Sequence, residues 1–130
     1  MIGENSLDDI ETNAIRKQFH EPRIHFSIVC ASKGCPWLSR EAFTAAGLES
    51  QLEGRARLFL NQERNVRVDN VKREVTLSKI FDWYKQDFGS SVEAVLGFIG
   101  KYRTDGAQLR HGPWKLRYFD YDWGINDVRP

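Results

Sequence analysis

The stretch VRVDNVKREVTLSKIFDWYKQDFG, residues 66–89, contains the local signals that decide the fold class. Val66–Asp69 and Glu74–Leu77 have the character of short strands on either side of a polar turn, which predicts a β-hairpin. Ser78 then precedes a helical pattern that ends at Gly89. That pattern contains four apolar residues, Ile80, Phe81, Tyr84 and Phe88. A hairpin that leads directly into a helix is typical of an α+β domain.

Three further helices are predicted around this stretch. Residues 7–19 follow Ser6 with apolar side chains at helical spacing, and residues 44–60 have a similar apolar stripe despite two glycines. Ser91 opens the last helix, which is predicted to end near Tyr102. Together with the helix after the hairpin, these segments make about four helices.

Two more strands complete the predicted sheet. Residues 23–30 alternate between apolar and polar side chains, and residues 115–120 alternate again near the end of the chain. We expect both segments to belong to one sheet. The sequence therefore predicts a single α+β domain over residues 1–130, in which about four helices pack a small, mostly antiparallel sheet.

The composition limits the classes of function. With 130 residues, of which 41% are hydrophobic, the chain can bury one core of ordinary size. Nineteen basic and eighteen acidic residues give a net charge of +1, so neither a nucleic acid nor a membrane surface is favoured as a partner. The basic segment 101–117 is interpreted as a solvated loop. No motif predicts a cofactor.

The location of the protein in the cell is left open by the sequence. No apolar run reaches the roughly 18 residues of a membrane span, and residues 1–10 lack the pattern of a secretory signal. We therefore expect a soluble protein with no membrane span, and a reducing compartment is the default expectation.

Residues 23–38, RIHFSIVCASKGCPWL, contain both cysteines and one of the three histidines of the chain. Cys35 precedes a proline, which is favoured at the first position of a helix, so Cys35 is predicted to be a helix N-cap. There the helix dipole would stabilise a thiolate and make Cys35 the more reactive cysteine. With His25 as the base, and Asp122 or Asp120 orienting the imidazole, these residues predict thiol-dependent hydrolysis or acyl transfer.

Other interpretations of the same residues stay open. Cys30 and Cys35 also suit core positions, because cysteine is among the residues most often buried. The short loop between them permits a disulfide in an oxidising compartment. A zinc site would need nearly all the cysteines and histidines of the chain, so no metal is predicted.

Four blocks of sequence resemble a known family in the same order. They are EPRIHFSIVCASKGCP (21–36), AFTAAGLESQLEGRARLFLN (42–61), LSKIFDWYKQDFG (77–89) and YFDYDW (118–123). The chain resembles, over roughly residues 8–127, the bacterial and plant family called domain of unknown function 547. The resemblance implies the C-terminal two-thirds of the usual domain and implies no particular activity.

The sequence departs from that family at three places. Members usually have a substantial segment ahead of the first helix, which is missing here. Thr12 follows Glu11 where relatives commonly have histidine, and Trp37 stands where they have a second proline. We expect the apolar surface that the missing segment would cover to be exposed. The alternative to an enzyme is therefore a non-catalytic interaction or structural domain, completed by a homodimer or by a protein partner.

Overall fold

A computed structural model describes residue 6, residues 9–28 and residues 32–125. Within these ranges the chain forms, in order, a π-helix Ile10–Arg16, α1 Lys17–Phe19, a 3₁₀ helix Pro22–Phe26, α2 Leu48–Leu60, β1 Val66–Asp69, β2 Glu74–Leu77, α3 Ile80–Trp83, a 3₁₀ helix Lys85–Phe88, α4 Val92–Gly100, a 3₁₀ helix Gly106–Arg110 and β3 Lys115–Tyr118. The predicted α+β class is confirmed, with four α-helices and a three-stranded sheet in the described residues. None of these helices is long and apolar enough to cross a membrane.

The hairpin has the predicted boundaries. β1 and β2 pair antiparallel in a register that places Val66 opposite Leu77. In the turn, the carboxylate of Asp69 accepts hydrogen bonds from the backbone N–H groups of Val71 and Lys72, both at 3.0 Å. An aspartate that bonds the backbone two and three residues later stabilises a turn locally. The hairpin is therefore specified by residues close together in the sequence.

The third strand joins the sheet from far along the chain. β3 lies beside β2 and runs parallel to it, with Leu116 opposite Val75. Because parallel neighbours need a crossover connection, residues 78–114 return the chain to the end of the sheet at which β2 began. That connection contains α3 and α4.

An apolar core lies between the sheet and the helices. Its buried side chains include Val66, Val75 and Leu77 from the sheet, Ala56, Phe59 and Leu60 from α2, and Val95, Leu96 and Ile99 from α4. Phe26 is fully buried among them and stacks on Phe59, with ring centroids 4.8 Å apart. The 3₁₀ helix that contains Phe26 is thus anchored in the core.

The helix predicted between the hairpin and Gly89 is divided into α3 and the 3₁₀ helix Lys85–Phe88, and α4 ends at Gly100, but Gly89 and Ser91 have the predicted roles. Gly89 has a φ of 107°, a left-handed conformation that favours glycine, and it ends the 3₁₀ helix Lys85–Phe88. The hydroxyl of Ser91 accepts a hydrogen bond from the Ala94 N–H at 3.1 Å and caps α4.

The first predicted helix is present, but much of it is a π-helix. Ile10–Arg16 is π-helical and α1 continues the helix to Phe19. Ser6 Oγ accepts a hydrogen bond from the Asp9 N–H, and the Asp9 carboxylate accepts one from the Ser6 N–H, both at 3.1 Å. This reciprocal pair is a capping box, so Ser6 has the predicted capping role. Residues 7–8 lie outside the described ranges.

The strand predicted over residues 23–30 is wrong in the described part of that stretch. Pro22–Phe26 form a 3₁₀ helix whose last four residues are all buried. The strand was predicted from alternating apolar and polar residues, on the assumption that Arg23 and His25 face solvent. Ion pairs and hydrogen bonds instead allow both side chains to be buried. The expectation that this stretch and residues 115–120 belong to one sheet is therefore wrong for residues 23–28.

The prediction that Cys35 is a helix N-cap is also wrong. After Cys35 the chain is irregular or turning up to α2, which begins at Leu48. The Cys35 oxygen accepts a hydrogen bond from Arg64 Nη2 at 3.3 Å. The helix predicted from residue 44 starts late because Thr44 Oγ1 accepts the Gly47 N–H at 3.0 Å, which forms a turn before α2.

Candidate functional site

Arg23 fixes the 3₁₀ helix that contains His25. Its guanidinium donates two hydrogen bonds to the Glu21 carboxylate, both at 2.8 Å, and two to Glu49 on α2, at 2.7 and 2.9 Å. These hydrogen bonds raise the pKa of Arg23 and lower the pKa of Glu21, so the pair stays charged although the Arg23 side chain is only 10% exposed. Bidentate pairs fix orientation as well as distance. The 3₁₀ helix is therefore held firmly against α2.

His25 is buried, and each of its ring nitrogens faces a carboxylate. Nε2 lies 2.8 Å from Asp87 Oδ2, and Nδ1 lies 3.9 Å from Glu11 Oε1. Because an ionised carboxylate only accepts, Nε2–H donates to Asp87 and Nδ1 of the neutral ring keeps a lone pair. Burial lowers the pKa of His25, although the nearby Asp87 carboxylate acts in the opposite direction. The imidazole is therefore neutral near pH 7.

Asp87 links His25 to Arg16. The Nε of Arg16 donates to the same Asp87 oxygen at 2.8 Å. Burial acts to raise the pKa of Asp87, but the hydrogen bonds from Arg16 and His25 outweigh it, and the pKa lies below its usual value. Glu11 and Arg16 both come from the π-helix, whose hydrogen bonds run from residue i to i+5 and so bring positions five apart onto one face. The carboxylates of Glu11 and Asp87 thus lie beside the two nitrogens of the neutral imidazole, and Arg16 pairs with Asp87.

Aromatic rings hold the imidazole of His25 in place. The Tyr84 ring stacks on it with centroids 4.1 Å apart and planes inclined by 16°, and Phe88 packs at 5.6 Å with its ring tilted. The guanidinium of Arg16 lies 4.8 Å from the Tyr84 ring centroid. Since stacking and the Asp87 hydrogen bond act on the same ring, the orientation of His25 is fixed by two independent contacts.

Cys35 and His25 line one cavity of about 180 Å³. The other lining residues are Glu11, Ile28, Pro36, Ile80, Trp83, Tyr84, Tyr121 and Trp123. Cys35 is 6% exposed, and its sulfur is disulfide-bonded rather than a free thiol. The other cysteine of the chain, Cys30, lies outside the described residues. The structure thus brings together two of the three residues predicted from the sequence.

The third predicted residue, Asp122, supports the turn that leads to Cys35. Its backbone oxygen accepts the Gly34 N–H at 2.9 Å, and its carboxylate accepts the Gly124 N–H at 2.9 Å. Asp122 and Asp120 line a neighbouring cavity together with Arg64. The carboxylate that bonds His25 is that of Asp87.

Gly34 lets an aromatic ring lie against the same turn. A Cβ atom at Gly34 would be 2.7 Å from a ring carbon of Tyr121, closer than real Cβ contacts allow. The Tyr121 hydroxyl and Ser32 Oγ form a hydrogen bond of 2.7 Å, and Arg64 Nη1 donates to the Lys33 oxygen at 2.7 Å. The turn before Cys35 is therefore fixed by backbone, hydroxyl and guanidinium contacts together.

The first part of this site corresponds to a sequence family. Residues 3–60 match a family described as protein of unknown function, DUF547. The predicted resemblance is confirmed over these residues. The DUF547 match includes Glu11, His25 and Cys35, whereas Asp87 and the aromatic residues at 121 and 123 lie beyond it. The chain has no significant match among curated proteins or among solved structures.

Sequence patterns did not single out Asp87 or Arg16. Asp87 lies outside the DUF547 match, and in the sequence it reads as an ordinary polar position in a helix next to the core residue Phe88. Arg16 reads as one of several basic residues on the first helix. Glu11 offered one signal, because it belongs to the Glu-Thr-Asn triplet that the resemblance brought to notice.

Metal coordination is not indicated by the part of the chain that the structure describes. There, no group of three or more His, Cys, Asp or Glu side chains is placed to hold a metal ion. His25 is hydrogen-bonded to Asp87, and the Glu11 carboxylate lies 3.9 Å from the other ring nitrogen.

Proposed function

We propose that this cavity is a thiol site and that the chain is a thiol-dependent hydrolase or acyl transferase once Cys35 is reduced. The observation that carries the proposal is that Cys35 and His25 line the same cavity. Asp87 bonds the nitrogen of His25 that the reaction does not use. A nucleophile, a base and a carboxylate that orients the base are the parts that thiol enzymes use. In this proposal Asp87 has the orienting role for which the sequence suggested Asp122.

The disulfide has to open before Cys35 can react. A dithiol reductant supplies two electrons and two protons, so that the disulfide becomes two thiols and the reductant becomes a disulfide. His25 Nδ1 then accepts the Cys35 proton. The thiolate forms a bond to the acyl carbon of the substrate, and the imidazolium returns the proton to the leaving group as its bond to that carbon breaks. Water or a second acceptor then takes the acyl group from Cys35.

The protonation state of His25 supports this order of events. Because burial lowers the pKa of His25, the imidazole can accept a proton at neutral pH without first losing one. The lone pair is on Nδ1, since Nε2–H is used by Asp87.

The test follows the reactivity of Cys35 across pH. Iodoacetamide is applied to the oxidised and the reduced protein, and mass spectrometry assigns alkylation to each cysteine. We expect no reaction at Cys35 before reduction. After reduction, Cys35 should react faster than a free thiol with a pKa near ~8.5, and His25→Gln should slow it at least tenfold while His111→Gln does not. Hydrolysis of an aryl thioester by the reduced protein should disappear in Cys35→Ser. A reduced Cys35 that behaves as an ordinary thiol in all variants would overturn the proposal.

A separate surface favours a second function, which is association with another copy of the chain. A groove of about 700 Å³ lies between the first helical segment and α2. Most of its lining is apolar and includes Ile15, Phe19, Ile24, Ile28, Phe43, Leu48 and Leu52. Phe19 is 70% exposed at this groove. Since a two-fold interface must be complementary to itself, a projecting ring beside an apolar groove has the features that such an interface needs. We propose that Phe19 of each copy fills the groove of the other.

Sedimentation velocity tests the association. We expect the wild-type protein and Val71→Glu to be dimers, because Val71 lies exposed in the hairpin turn, away from the groove. Phe19→Glu should be a monomer, since a buried, unpaired carboxylate opposes association. A wild-type protein that stays monomeric at high concentration would show that this groove does not join two copies.

A further inference from the structure

Three aromatic rings form a contiguous cluster beside the cavity that His25 and Cys35 line. The ring centroids of Trp83 and Tyr121 are 4.8 Å apart, those of Trp83 and Trp123 are 5.6 Å apart, and those of Tyr121 and Trp123 are 4.6 Å apart. Trp83 is 44% exposed and Trp123 is 72% exposed. Because a large part of these indole surfaces is left in water, the fold does not use it for core packing.

The cavity beside these rings is lined, within the described part of the chain, by one carboxylate and by no lysine or arginine. That carboxylate belongs to Glu11. Glu11 Oε1 lies 3.9 Å from His25 Nδ1, and the imidazole of His25 is neutral. Arg16, on the same π-helix, attracts Glu11 electrostatically, but its recorded hydrogen bond goes from Nε to Asp87. The carboxylate of Glu11 therefore has no close cationic hydrogen-bond partner among the described residues.

We propose that this cavity binds a small organic cation, an alkylated ammonium group that packs on Trp83, Tyr121 and Trp123 and directs its charge towards Glu11. The face of an aromatic ring attracts a cation, and tryptophan does so most strongly. A methylated ammonium group is weakly hydrated and apolar in shape, so it loses little on leaving water for such a site. An apolar cavity of about 150 Å³ can hold a benzene molecule. The 180 Å³ here accommodates a trimethylammonium group.

The ring of Tyr84 has a different part in this site. One contact of its ring is with His25 at 4.1 Å, and the Arg16 guanidinium lies over it at 4.8 Å. Its π-surface is therefore already used within the protein. The cation would meet the rings of residues 83, 121 and 123, which the chain brings together from the end of α3 and the segment after β3.

The inference rests on the proposed function in one respect, because it names the substrate class of the same cavity. If the cavity is a thiol site, its substrates are acyl esters or thioesters whose other part contains an alkylated ammonium group. Binding is measured on the oxidised protein, in which Cys35 has no free thiol. Ligand binding and thiol chemistry can then fail separately.

The test compares two ligands of the same shape. Choline and its neutral isostere 3,3-dimethylbutan-1-ol are titrated into the oxidised protein, with calorimetry and the indole N–H signals in NMR spectra as readouts. We expect choline to bind at least tenfold more tightly than the neutral alcohol. Glu11→Gln and Trp123→Leu should each weaken choline binding at least tenfold. Trp37→Leu is the matched control, because Trp37 is an exposed indole outside this cavity whose ring lies near Arg64.

These binding measurements test the cation site independently of any catalytic activity. Equal binding of choline and the neutral alcohol, or binding of neither, would overturn the inference. Choline binding that survives Glu11→Gln and Trp123→Leu unchanged would overturn it as well. A peptide containing trimethyllysine is titrated in parallel, and its affinity relative to choline tells whether the ammonium group belongs to a protein side chain or to a free small molecule. Choline binding without any thiol reactivity would refute the proposed function alone.

Discussion

Replacement of Asp87 by alanine tests the network that orients His25. In the native protein one oxygen of Asp87 accepts hydrogen bonds from His25 Nε2 and Arg16 Nε, both at 2.8 Å. The variant leaves the buried Nε2–H of His25 without its acceptor, which costs about 1–3 kcal/mol. Arg16 is partly exposed and can be hydrated, so loss of its ion pair adds at most about 1 kcal/mol. We expect the free energy of unfolding to fall by about 1–4 kcal/mol.

Urea denaturation followed by tryptophan fluorescence measures this change, with the disulfide intact in every sample. For 130 residues the entropy of unfolding is roughly 0.27 kcal/mol per kelvin, so the midpoint of thermal unfolding should fall by about 4–15 °C. Asp82→Ala is the matched control, since Asp82 lies in the adjacent helix and makes an i,i+3 pair with Lys79 at 3.2 Å. An Asp87→Ala protein as stable as this control would refute the orienting role of Asp87.

Three shorter predictions follow from the same contacts. Because the folded-state pKa of His25 is lowered, its contribution to stability is complete above about pH 6.5 and is lost as the pH falls below that value. Stability measured between pH 7 and pH 5 should therefore fall more steeply than in His25→Gln, by up to about 1.4 kcal/mol per pH unit, and parallel curves would contradict this. Gly34→Ala should displace the Tyr121 ring and cost about 1–3 kcal/mol, with a change in the near-ultraviolet circular dichroism; an unchanged spectrum would show that the turn adapts freely. Arg23→Met should destabilise by about 1–3 kcal/mol, and the exposed Arg57→Met by less than about 0.5 kcal/mol, so equal losses in urea denaturation would remove the anchoring role of Arg23.

The parts of the fold that could be predicted are those specified by neighbouring residues. The hairpin has the expected boundaries because Asp69 bonds the backbone of its own turn, and α4 begins as expected because Ser91 caps it. The stretch from residue 23 could not be predicted in the same way. Arg23 pairs with the neighbouring Glu21 but also with Glu49, and His25 pairs with Asp87. Glu49 and Asp87 are far from these residues in the sequence.

In the candidate site, too, the residues close together in the sequence could be predicted and those brought together by the fold could not. Cys35 and His25 were predicted as site residues from their residue types and their proximity in the sequence, and they line one cavity. The helix predicted at Cys35 depended on a Cys-Pro pattern, but the chain after Cys35 is irregular or turning up to α2. The aromatic wall of the cavity joins residue 83 to residues 121 and 123, which become neighbours only after β3 has crossed back to β2.

The parallel pairing of β2 and β3 also sets an order of events during synthesis. The hairpin needs only contacts between near neighbours, so it can form as soon as it leaves the ribosome. The edge of β2 that receives β3 stays open until residue 118 has emerged, after the whole crossover has been made. An open strand edge is a template for pairing with other chains. We therefore expect the nascent chain to be most prone to aggregation after residue 77 has emerged and before residue 118 follows, and chains truncated in that interval to need a chaperone to stay soluble.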